Sequence, residues 1–154
     1  MSQELTADDL HEQAERYREV ARKSQDKREM LQAKIKNLKE EEAPRGEEIK
    51  ELESKIEFLK EQFQNLIKTA KSLDAQGVVK VMTNLENAKQ RIEAITDKVL
   101  EAVQKFDDRK EAFRVLSLFI DLGGAIINTI ATGGTTAAKI DLLVSEIDNF
   151  TRDF

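Results

Sequence analysis

The single histidine, His11, stands one helical turn before Glu15 and three residues after Asp8. On a helix these side chains share a face, so a weak metal site can be drawn from them. A hydrolytic zinc site ordinarily takes more nitrogen or sulfur ligands, and the chain has no cysteine. A solvated helix face is therefore expected, with no metal and no cofactor. The lack of cysteine also excludes a thiolate nucleophile, a disulfide framework and a zinc–thiolate site. No local motif assembles Ser, His and Asp. The run Gly133-Gly134-Thr135-Thr136-Ala137-Ala138-Lys139 has the composition of a phosphate loop. It lacks both the required glycine–lysine spacing and a preceding strand, and reads as a loop with Thr135 or Thr136 capping the next helix. Carboxylates are abundant, but acid–base work needs one shifted by burial or by a close neighbour. Only Asp121 lies in a strongly apolar stretch, where a buried pair with Arg114, or alternatively Lys139, is expected. The chain is expected not to be an enzyme.

The elements that would position these residues are helices. Thr6-Ala7-Asp8-Asp9 is a capping box with Asp in place of the usual Glu or Gln. From there Leu10, Ala14, Tyr17, Ala21, Ser24, Arg28, Leu31, Ile35 and Leu38 recur in steps of four and three, which predicts a helix over 6–42. Pro44 and Gly46 end it. Ile49, Leu52, Ile56, Leu59, Phe63, Leu66, Ala70 and Leu73 then alternate by three and four without exception, which predicts a second helix over 47–75. Gly77 and a change of phase mark a break, favouring an antiparallel hairpin over one long helix with a slipped register. The pattern restarts at Val78 and runs through Val81, Leu85, Ala88, Ile92, Ile95, Val99, Ala102 and Phe106. With no breaker at 107–110, a third helix is expected over 78–131. A final helix over 135–151 would turn Ile140, Leu143, Val144, Ile147 and Phe150 to one side. The expectation is a single all-α domain, an elongated antiparallel bundle or coiled coil of four to five helices.

Charge thins toward the C-terminal end. Residues 1–46 carry 10 basic and 11 acidic groups, residues 47–110 carry 12 and 13, and residues 111–154 only 3 and 6. Between Ala112 and Ala138 the only charges are Arg114 and Asp121. On a helical wheel Arg114, Ser117, Asp121, Gly124 and Asn128 form one polar stripe, and Ala125, Thr129, Gly133 and Ala137 form a ridge of small residues. The rest, including Leu118, Phe119, Leu122, Ile126, Ile127 and Ile130, is apolar nearly all round. Such a helix is normally buried in a bundle; the alternative is insertion of 112–138 into a membrane or a partner's groove. Heptad helices followed by a glycine-containing apolar segment are similar in layout to α-helical pore-forming toxins and cell-death bundles, with no diagnostic motif to accompany the layout.

Composition narrows the function further. Charged residues make up 36% and aromatics 5%, a mixture of long helices rather than sheets. The net charge of −5 comes from interleaved signs, which leaves no positive field for nucleic acid. The polar N-terminus holds no secretory signal, so a cytoplasmic location is favoured. The expected function is assembly, with Ile49, Leu52, Ile56, Leu59, Phe63 and Leu66 binding copies of this chain or another helical protein, or else forming an internal core. The alternative is membrane activity, with lipid as the partner.

Overall fold

A computed structural model describes residues 4–40, 46–76, 81–83, 85–105, 111–132 and 137–152. Their architecture is an all-α bundle of five helices: α1 (Ala7–Lys39), α2 (Gly46–Asp74), α3 (Ala88–Gln104), α4 (Glu111–Ala131) and α5 (Ala137–Thr151). Two dipeptides, β1 (Glu4–Leu5) and β2 (Val81–Met82), pair antiparallel, with Leu5 opposite Val81. This pairing ties the start of the chain to the segment before α3.

The start of α1 follows from its sequence. Thr6 Oγ1 accepts from the Asp9 amide at 3.2 Å, and Asp9 Oδ2 accepts from the Thr6 amide at 2.9 Å. Two amides that the first turn would leave unbonded are thus satisfied.

The expected third helix over 78–131 is corrected. Within it the described residues contain β2, a turn, α3 and α4 as separate elements. The turn has local causes. The Leu85 amide donates to Thr83 Oγ1 at 3.2 Å, and Asn87 takes a left-handed conformation at φ 54° before α3 begins. Asparagine tolerates that conformation where a branched residue does not. A heptad count sees only apolar spacing, so it runs through such a turn. The junction between α3 and α4, like the Pro44 and Gly77 breaks and the Gly133–Lys139 loop as far as Thr136, lies outside the described residues.

Side-chain contacts give the directions. Asp74, at the end of α2, meets His11 and Arg18 near the start of α1, so these two helices are antiparallel. Helix α3 runs parallel to α1: Lys89 bonds Glu12 at 2.9 Å, Gln13 reaches Thr96 at 3.3 Å, and Lys27 Nζ donates to the Gln104 carbonyl at 2.9 Å. Helix α4 runs parallel to α2, with Phe58 against Phe113 and Thr69 against Gly123. Helix α5 returns antiparallel to α4, with Arg114 3.9 Å from Glu146, and Lys98 joins it to α3 through Asp148. The direction alternates along the chain, as short connections demand.

The buried apolar side chains form one cluster drawn from all five helices and both dipeptides. Its width varies along the α1–α2 hairpin. Between Leu10 and Lys27, α1 buries Leu10, Gln13, Ala14, Tyr17, Val20, Ala21, Ser24 and Lys27. Beyond Lys27 it buries only Leu31, Ile35 and Leu38. The first part packs against several helices; the second shows the narrow stripe of a helix paired with a single neighbour.

Candidate interaction surfaces

Helix α4 buries one face in the core. Leu118, Phe119, Leu122 and Ile126 are buried, while Ile127 and Ile130 are half-buried against the core. The polar stripe points outward: Arg114, Asp121, Gly124 and Asn128 are exposed and Ser117 is half-buried. The stripe is where burial is least costly to give up, because charges leave water only at a penalty. The expected buried pair of Arg114 with Asp121 is therefore corrected. Both side chains are exposed, and Arg114 faces Glu146 of α5. An apolar run in the sequence says what surrounds a residue along the chain, not which side of the helix it occupies.

Tyr17 of α1 holds α4 in place. Its ring stacks on Phe119 with centroids 4.0 Å apart and 12° between planes, and its hydroxyl donates to the Phe119 carbonyl. Burial pushes the phenol well above its ordinary pKa; a backbone hydrogen bond at Gly123 opposes the shift and the Asp121 charge adds to it. The phenol is thus a neutral donor. Gly123 makes the approach possible: a Cβ there would lie 2.4 Å from Thr69 Cγ2 and 2.9 Å from the Tyr17 hydroxyl oxygen. Three helices meet at this glycine. Sequence reasoning placed Tyr17 in a seam but missed its partner. The signal present was the Gly123-Gly124 pair inside an otherwise strong helix, since mid-helix glycine costs about 1 kcal/mol relative to alanine and calls for a packing reason.

The seam of α2 divides in two. Ile49, Leu52, Leu59 and Leu66 are buried inside the bundle, and Leu59 and Leu66 have no exposed surface. Ile56 and Phe63 are only half-buried, and Ile67 beside them is 38% exposed. At 100° per residue, Ile56, Phe63 and Ile67 lie on the opposite side of the Leu59–Leu66 line from Phe58 and Thr69. Since Phe58 and Thr69 face α4, the half-exposed strip runs along the flank of α2 turned away from it. Elsewhere Met30, Leu142 and Phe150 are the large apolar side chains exposed among the described residues. Phe150 thus departs from its expected place on the inner face of the last helix; Thr151 is buried there instead.

At the open end of the hairpin, His11 Nδ1 lies 3.0 Å from Asp74 Oδ1, and Arg18 binds the same carboxylate as well as Glu15. Arg18 first and His11 second hold the Asp74 carboxyl below its ordinary pKa. The trio of Asp8, His11 and Glu15 is therefore no single site: His11 and Glu15 are directed to different partners. Among the described residues no group of three or more His, Asp or Glu side chains is arranged to hold a metal ion.

No protein-family model, curated protein or solved structure matches the chain.

Proposed function

We propose that this chain is a non-enzymatic interaction module in which the outer flank of α2 receives a helical partner. One observation carries the reading: the apolar strip Ile56–Phe63–Ile67 stays partly open along one flank of α2, with Ile56 and Phe63 half-buried against the core and Ile67 exposed. Six seam residues belong to the expected interface, and four of them stabilise the monomer. Ile56 and Phe63 pack against the core with one side and leave the other open beside the exposed Ile67. An amphipathic helix seated beside such a strip buries it at i, i+3, i+4 and i+7 spacing. Affinity capture with the wild type and with Ile67→Glu tests this. A protein held by the wild type and released by the variant, a second copy of the chain included, supports the reading; identical sets, or neither a captured protein nor a second copy, sink it.

Helix α4 favours a second reading. Ala112–Ala131 spans 20 residues with mean hydropathy 1.5, and half of this stretch is buried in the bundle. It is the one helix among the described residues long and apolar enough to cross a membrane. In that reading α4 leaves its seat at Tyr17 and enters lipid, and its polar stripe lines water with other copies. Liposome flotation with a dye-leakage readout separates the two: flotation with leakage selects the membrane, and neither event removes it.

A further inference from the structure

The open flank of α2 carries more than apolar residues. Glu53, Ile56, Lys60, Phe63, Ile67 and Lys71 follow one another at steps of three, four, three, four and four, a second helical stripe beside the buried seam. Lys60 stands near its middle, and its two ends carry opposite charges. Glu53, with Glu57 beside it, occupies one end, and Lys71, with Lys68 beside it, occupies the other. All four are exposed, and none makes an ion pair with a described residue. Glu53 and Glu57 stand at i and i+4, and Lys68 and Lys71 at i and i+3, so each pair repels within its own helix. The helix dipole accounts for Lys71 in the last turn but fades within a turn of each end. Glu53 and Glu57 lie beyond its reach.

Resting on the reading of α2 as a partner-binding helix, we infer that the partner is a second copy of this chain, docked antiparallel on the same strip. Reversed onto itself, the strip is self-complementary. Glu53 meets the second copy's Lys71, Ile56 meets Ile67, and Lys60 meets Phe63, all about one midpoint at residues 61–62. Glu57 and Lys68 flank the contact and oppose each other about nearly the same point. A parallel arrangement sets Glu53 on Glu53 and Lys71 on Lys71, so charge selects the antiparallel one. The contact is isologous and closes at two copies. The strip from Glu53 to Lys71 is about 27 Å long at 1.5 Å per residue. Such a narrow strip makes a weak dimer that assembles with rising concentration.

Multi-angle light scattering of the purified chain, from low to high micromolar concentration, reads the association directly. The expected result is a mass that rises toward twice the monomer and falls back in high salt. E53K/E57K and K68E/K71E alter only exposed positions, so both are expected to keep the wild-type melting temperature. Each alone loses the dimer, and their equimolar mixture regains it. The chain has no native cysteine, so under oxidation E53C/K71C gives a covalent dimer while E53C alone does not. A wild type that stays monomeric throughout, a dimer untouched by the charge variants, or E53C cross-linking to itself overturns the inference. Capture of a different protein that Ile67→Glu releases leaves α2 a partner-binding helix and removes only the second copy from it.

Discussion

The two ends of the α1–α2 hairpin are built from the same heptad pattern and are stabilised differently. At the body end, Leu66, Ala70 and Leu73 of α2 have no exposed surface, because α1 and α4 both pack on α2 there. At the far end, Ile35, Leu38 and Ile49 keep 7–8% of their surface exposed, and α1 buries a single narrow stripe. The comparison teaches that heptad spacing specifies a face but not how many neighbours that face meets. Close packing by several helices stabilises more per side chain than a two-helix seam, since a truncated residue there leaves a cavity with walls on all sides.

Substitutions that sharpen this contrast fall in a clear order. Leu59, fully buried between the two ends, is the most sensitive. Leu59→Asp places a carboxylate in the seam and is expected to cost several kcal/mol, enough to unfold the chain in a circular-dichroism melt. Leu66→Ala and Leu38→Ala compare the ends directly. The first is expected to cost about 2–5 kcal/mol and the second about 1–2 kcal/mol by denaturant titration. Equal losses would erase the distinction between body and arm.

Gly123→Ala tests the tightest contact of the body. Overpacking costs about 1–3 kcal/mol, offset in part by about 1 kcal/mol of helix propensity. A net loss is expected, together with weaker near-ultraviolet dichroism of Tyr17. A gain in stability would mean that α4 does not seat as described.

The next effect has the opposite sign. Ser24 Oγ is buried with no hydrogen-bond partner among the described residues. Ser24→Ala is therefore expected to stabilise by up to about 1 kcal/mol, read as a higher urea midpoint.

Asp74 gives the smallest effect and the only one tied to pH. Its carboxyl is lowered in the fold, chiefly by Arg18 and then by His11. Its contribution is present above the unfolded value near 3.8 and is lost as pH falls through the folded value. The group is about one-third exposed, so solvent screening limits the effect to under about 1 kcal/mol. Asp74→Asn should lower stability slightly at pH 7 and leave it unchanged at the acid end of a pH series of urea melts. A loss that persists at low pH would assign Asp74 a role other than this ion pair.

Much of the fold was legible because α1, α2, α4 and α5 repeat apolar residues at the helical period, and the Thr6–Asp9 cap is a local motif. The continuous third helix was not corrected by sequence because Val81 and Leu85 fit its register while sitting in a strand pairing and a turn. Their apolar character serves burial in either geometry. The interaction face was legible only in part. Ile56 and Phe63 belong to the predicted seam, but nothing in their spacing separates them from Leu59 and Leu66.

The sequence alone determined that the chain is helical, where its strongest helices run, and that α4 has one polar stripe. These depend on contacts between residues near one another in the chain, where the period of the backbone decides which side chains share a face. Only the tertiary structure decided that Tyr17 meets Phe119 at Gly123, that Arg114 turns to Glu146 rather than Asp121, and that one flank of α2 stays open. Those outcomes depend on which helices lie side by side and at what height. Many arrangements satisfy the same apolar pattern, and close packing around a few irregular positions, a glycine above all, selects among them.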